Sequence, residues 1–145
     1  MFRLLAICAL FAACGPGKEE CDAAKSGAHK AWGEIVVKVG VEQKHREDEL
    51  AKLESVLRVL EGRADAPPGA ADAKRKEVAD KRAEVERLAA LGATAEKVRQ
   101  SWRDATAAHA FELSSRELAQ FAGTEADKAR DAGGSAVSIC KGVEE

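Results

Sequence analysis

The run Trp32-Gly-Glu-Ile-Val-Val-Lys-Val-Gly-Val-Glu-Gln-Lys-His-Arg-Glu-Asp-Glu-Leu-Ala-Lys-Leu-Glu-Ser-Val-Leu-Arg-Val-Leu60 decides the fold of this 145-residue chain. A heptad runs through it. One seam position holds Trp32, Val39, Arg46, Leu53 and Leu60, and the other holds His29, Val36, Gln43, Leu50 and Leu57. The spacing alternates three and four throughout, which marks a helix packed along one side. Ile35-Val36-Val37-Lys38-Val39 is rich in strand-forming residues, but its flanks keep the helical period. Glu42–Arg46, Asp48–Lys52 and Glu54–Arg58 place acid before base at i,i+4 and add modest support. Gln43 and Arg46 break the seam with polar groups, a device that fixes register or meets a partner.

Moving outward, Gly62 suits a left-handed helix cap. Gly62 to Asp72 reads as a loop, because Pro67-Pro68 cannot continue the first helix and Asp72 is a good N-cap. A second helix is predicted over about 73–122. Its stripe is Leu91, Ala95, Val98, Trp102, Ala105 and His109, preceded by Val78, Val85 and Leu88 and followed by Phe111, Leu118 and Phe121. The stripes drift around the axis, with Gly92 a candidate irregularity. Gly123 then stops that helix, Thr124 to Asp127 starts another over about 124–132, and Gly133-Gly134 interrupts again before a short piece at 135–141.

The expected fold is therefore all-α: a long antiparallel, coiled-coil-like helical hairpin with a shorter third helix at the C-terminal end. The first helix, about 20–61, spans ~60 Å at 1.5 Å per residue. Folding about residue 66 sets Trp32 opposite about residue 100, so Trp32 and Trp102 form one aromatic packing node. The composition agrees: Tyr is absent, aromatics are 4% and charged residues 33%, which suits long helices with a narrow seam.

At the N-terminus, Arg3 is followed by ten uncharged, mostly apolar residues, Leu4 to Ala13, then by Cys14 and Gly15-Pro16-Gly17. This is the layout of a secretory signal. Its end, Phe11-Ala12-Ala13-Cys14, resembles the lipobox of bacterial lipoprotein precursors, with Phe11 standing where Leu is usual. Cys8 follows bulky Ile7 and fits that pattern poorly. The apolar run is about half the ~20 residues that a membrane span needs. The resemblance implies cleavage after residue 13, a diacylglyceryl group on the Cys14 sulfur, and acylation of its new amino group. Two or three chains make dissociation from a bilayer negligible. Residues 14–19 would be the lipidated cysteine and a short linker, and 20–145 the helical domain.

Two cysteines remain, Cys21 and Cys140. Export to an oxidising compartment, implied by the same resemblance, makes them a disulfide candidate. The hairpin sets Cys21 level with residues near 110, so such a bond requires the chain after His109 to double back, for example near Gly123.

Without residues 1–13 the chain carries 22 basic and 25 acidic side chains, since only Arg3 is lost. That balance gives no electrostatic case for nucleic acid. Lys74-Arg75-Lys76 and Lys81-Arg82 lie among Asp72, Glu77, Asp80 and Glu84, which cancel them. His29, His45 and His109 lack metal-ligand spacing, and Ser114-Ser115 lacks a nucleophile's context. Neither a cofactor, a metal nor enzymatic activity is expected.

The expected role is that of an envelope lipoprotein, held in the bilayer through acylated Cys14 and presenting its hairpin to an envelope protein or polymer. Gly15 after the cysteine fits outer-membrane sorting in the enteric pattern, with the domain facing the periplasm. The alternative is a periplasmic binding or chaperone-like module holding client chains in a helical cleft. A small-ligand or metal site at the hairpin base ranks third, and homo-oligomerisation would complete the weak seams.

Overall fold

The computed structural model describes residues 17–104, 116–141 and 143. Among these residues there are four helices and no strand: α1 (Lys18–Glu61), α2 (Ala70–Asp104), α3 (Arg116–Ala122) and α4 (Thr124–Cys140). The two long helices pack antiparallel as a hairpin, and the short C-terminal elements cover one half of it. The all-α hairpin with a shorter C-terminal helix is thus the observed architecture.

α1 opens with Glu19 and Glu20 in its first turn, where carboxylates complement the helix dipole. It continues for 44 residues, about 66 Å at the standard rise. Gly62 ends it with φ −82° and ψ −5°, in the right-handed region, its amide donating to the Arg58 carbonyl. The expected left-handed cap at Gly62 is therefore corrected. The positive φ falls instead at Gly69 (78°), directly before α2. The Ala73 amide bonds back to the Gly69 carbonyl, so α2 starts three residues earlier than expected. Asp72 lies inside the first turn rather than capping it.

A helix unbroken over 73–122 is also corrected. α2 is described to Asp104 and α3 begins at Arg116; Ala105, His109 and Phe111 lie outside the described residues. The Arg87 guanidinium meets the Glu117 carboxylate at 3.1 Å. The start of α3 therefore lies near the level of Arg87, about 25 Å back along α2 from Asp104 (17 residues of rise). Gly123, at φ 61°, then turns the chain into α4. The turn expected there is present, but beside mid-hairpin Lys38 rather than beyond the hairpin's end.

α4 runs through Gly133-Gly134 to Cys140, correcting the expected stop at 132. Gly133 is buried, and a Cβ built on it would stand 3.1 Å from Cζ2 of Trp102. Close packing favours glycine here at the expense of helix propensity. Gly92 likewise leaves α2 unbroken and lets Val39 come close, with Cγ1 3.4 Å from where a Cβ would be.

The core lies in the half of the hairpin that α3 and α4 cover. Trp32, Ile35 and Val39 of α1, Leu88, Leu91, Ala95 and Trp102 of α2, Leu118 and Ala122 of α3, and Ala126, Ala129 and Ala136 of α4 form one buried cluster. The large residues each contribute roughly 1.5–3 kcal/mol, whereas an alanine methyl contributes about 0.8 kcal/mol. Core volume thus comes chiefly from α1 and α2, and α4 supplies small groups that let it lie close. In the other half, among the described residues, only two helices pair, and Leu50, Leu53, Leu57 and Leu60 are half-buried.

Candidate functional site

The chemistry-bearing residues gather at three levels of the hairpin. At the base, Cys21 in the first turns of α1 is joined to Cys140, the last residue of α4, with S–S 2.01 Å and Cα–Cα 4.8 Å. The bond is buried, with Ile139 and Val143 packed against it. Its 119-residue separation makes it a long-range clamp. One residue ties the start of the described chain and the other the end of its last helix.

One to three turns above, Trp32 and Trp102 share the buried cluster, as the hairpin register requires. Gly133 packs on the Trp102 ring. The indole N–H of Trp102 and Nε of Arg99 are buried without a partner among the described residues. His29 Nδ1 lies 2.9 Å from the Arg99 carbonyl. A carbonyl only accepts, so the proton sits on Nδ1. This bond ties α1 to α2 at a seam position, where the histidine is a structural cross-link. Among the described residues, no three or more of His, Cys, Asp and Glu are grouped to hold a metal ion.

At mid-height Lys38 closes the α3–α4 turn. Its ammonium donates to the Ala122 carbonyl at 2.9 Å and to Glu125 Oε2 at 2.8 Å. The hydrogen bond from Lys38 holds the Glu125 carboxyl below the usual carboxylate range. Nothing in the local sequence marks Lys38, because its partners lie 84 and 87 residues away.

Further out, the polar break in the seam is a bridge between the helices. Arg46 bonds Glu42 and Glu49 on its own helix and Glu84 of α2 at 3.2 Å. Lys81 of α2 reaches Glu49 at 3.1 Å and Glu84 at 2.7 Å. Hydrogen bonds from Lys81, then from Arg46, hold the Glu49 carboxyl below its ordinary value, and that from Lys81 does the same for Glu84. Gln43 instead bonds Glu47 within α1. The Arg46–Glu84 pair crosses between the helices, as a register-fixing group would. Of the expected i,i+4 pairs, Glu42–Arg46 forms; Asp48 pairs with Lys44, and Glu54 with Arg82 across the hairpin.

At the tip, three cations are paired. Arg63 grips Asp65 through both Nε and Nη2, Arg75 meets Glu61 and Asp72, and Lys74 meets Glu77. Lys74, Arg75, Lys81 and Arg82 of the basic cluster therefore present paired charges. Exposed apolar side chains lie along α1: Val37, Val41, Val56 and Val59. No helix among the described residues is long and apolar enough to cross a membrane. Cys14 lies outside the described residues.

One feature missed by sequence reading was legible there. Ala122, Ala126, Ala129, Gly133, Ala136 and Cys140 are spaced 4-3-4-3-4, and all are buried. Reading Gly133-Gly134 as a break hid this stripe of small residues. The chain matches no family model, and comparison with curated proteins and with solved structures returned no similar chain.

Proposed function

We propose that the chain is a lipid-anchored lipoprotein of the bacterial cell envelope, with a structural or docking role rather than a catalytic one. The observation that carries this reading is the lipobox-like Phe11-Ala12-Ala13-Cys14 only four residues before Lys18, where α1 begins. An acylated Cys14 would leave a very short leash. The disulfide-closed, three-helix half would stand next to the lipid headgroups, and the Pro67-Pro68 turn would be the far end of a stiff arm.

In this reading the membrane is the outer one and the arm lies in the periplasm, where it meets an envelope protein or polymer. The register bridge at Arg46 and Glu84 supports a spacing role, since it opposes sliding of the two helices. Labelled fatty acid should enter the wild-type protein and not Cys14→Ser, and the variant should leave the membrane fraction. Retention of Cys14→Ser in membranes, with no label in the wild type, would overturn the anchor. In-cell crosslinking from positions 63–76 should capture an envelope component.

The second reading is a periplasmic module that holds client chains, and the exposed valines of α1 favour it. Suppression of client aggregation by the purified protein, with no crosslinked envelope component, would select it over the first.

A further inference from the structure

We infer that α4 is a redox-dependent cover over the tryptophan core: the Cys21–Cys140 bond keeps it seated, and reduction releases it while the α1–α2 hairpin stays folded. The inference stands on the packing at the base and does not depend on the lipid anchor.

The first ground is the unequal division of the core. α1 and α2 pair along most of their length through Val39, Leu88, Leu91 and Ala95, the His29–Arg99 bond and the Arg46–Glu84 bridge. The His29–Arg99 bond and the Arg46–Glu84 bridge do not involve α4. The fully buried residues of α4 are Ala126, Ala129, Gly133, Ala136 and Cys140, and Ala132, Val137 and Ile139 are partly buried beside them. Apart from the cysteine, its fully buried side chains have at most one carbon each, so its seat depends on close approach, with Val137 and Ile139 adding apolar contact at the edge. Lys38 gives a polar attachment at the end near Gly123, where it holds Ala122 and Glu125. At the other end the disulfide is the cross-link that ties α4 to α1. Crosslinking so distant a pair removes chain entropy from every undocked state, which favours the seated helix.

The second ground is placement. The bond is buried, so a reductant does not reach it in the closed state. Both cysteines, however, sit in the terminal turns of their helices, Cys21 at the fourth residue of α1 and Cys140 at the last of α4. Terminal turns open locally far more readily than a helix middle. A dithiol then completes the exchange. Its thiolate attacks one sulfur to form a mixed disulfide, and its second thiol displaces that bond. The cysteines leave as two thiols and the reductant as a disulfide. With the clamp gone, Gly133 lifts from the Trp102 ring, and the face bearing Trp32 and Trp102 is uncovered.

The two tryptophans of the chain both lie under this cover, so they report its state. The test uses the full-length chain in a non-ionic detergent, oxidised and then treated with dithiothreitol, with free thiols titrated. Acrylamide quenching of tryptophan fluorescence should rise about twofold or more, and tryptic cleavage at Lys128 and Arg130 about tenfold or more, as the open population grows. Far-UV helicity should fall by no more than the share of α3 and α4, and reoxidation should reverse each change. Cys21→Ser/Cys140→Ser should match the reduced wild type. Unchanged quenching and cleavage with both thiols free would overturn the inference. So would a cooperative loss of all helicity on reduction, since the hairpin would then not outlast the clamp.

Discussion

The backbone of Gly133 lies so close to the indole of Trp102 that a methyl group on it would stand 3.1 Å from Cζ2. Its neighbour Gly134, one residue on, has nothing within 4 Å of the same position. The pair separates packing from helix propensity at adjacent sites of one helix. Gly134→Ala should stabilise the protein by about 0.5–1 kcal/mol, the usual gain in a helix interior. Gly133→Ala should fall short of that gain, and Gly133→Val should destabilise by about 1–3 kcal/mol through overpacking. Urea denaturation of the three variants checks the order. Equal gains from both alanines would show that Trp102 yields freely.

Lys38 joins α1 to the turn between α3 and α4. Lys38→Met keeps the aliphatic stem and removes both hydrogen bonds. The expected loss is about 1 kcal/mol for the bond to the Ala122 carbonyl. The Glu125 partner adds little, because that ion pair is solvent-screened. Hydrogen exchange should quicken in 116–125 and stay unchanged in the outer hairpin, where the Arg46 bridge sits.

The Arg46–Glu49–Lys81–Glu84 bridge makes stability depend on pH. The carboxyls of Glu49 and Glu84 are held below their ordinary value of 4.5 in the folded chain. Their contribution is therefore complete above the range where the unfolded carboxyls titrate, and is lost as pH falls through the lowered folded values. The wild type should lose more stability between about pH 5 and pH 3 than Glu49→Gln/Glu84→Gln. Parallel melting-temperature curves for the two proteins would remove the bridge from the account.

Trp32 is 2% exposed and Val59 is 58% exposed. Trp32→Ala should cost roughly 3–5 kcal/mol, through lost burial and the cavity left behind. Val59→Ala, near the tip, should stay within about 0.5 kcal/mol. Thermal denaturation of the two variants measures this asymmetry between the three-helix half and the two-helix half.

Much of the hairpin is legible along the chain because its determinants are local and periodic. The three-four alternation from Trp32 to Leu60 defines α1, and Pro67-Pro68 forces the reversal. Equal rise along both arms then brings Trp32 and Trp102 into one cluster. The return of the chain was not legible in the same way. Gly133-Gly134 reads as a helix stop by propensity alone, yet α4 crosses it, because burial against Trp102 and the bond at Cys140 outweigh an intrinsic cost of about 1 kcal/mol per glycine. Gly62 and Asp72 show the same limit on a smaller scale. Either residue can cap a helix, and loop geometry assigned the positive φ to Gly69 instead.

Local patterning in the chain specifies two long helices, the turn between them, the register of the aromatic pair and the Glu42–Arg46 pair. Tertiary packing sets the rest: α3 begins beside mid-hairpin, Lys38 meets a turn 84 residues away, and a face of alanine and glycine lies on Trp102. The reason is physical. Periodicity, propensity and i,i+4 pairing act within a few turns of one helix. The seat of α4 depends on shape complementarity and a covalent bond between residues that no local rule connects.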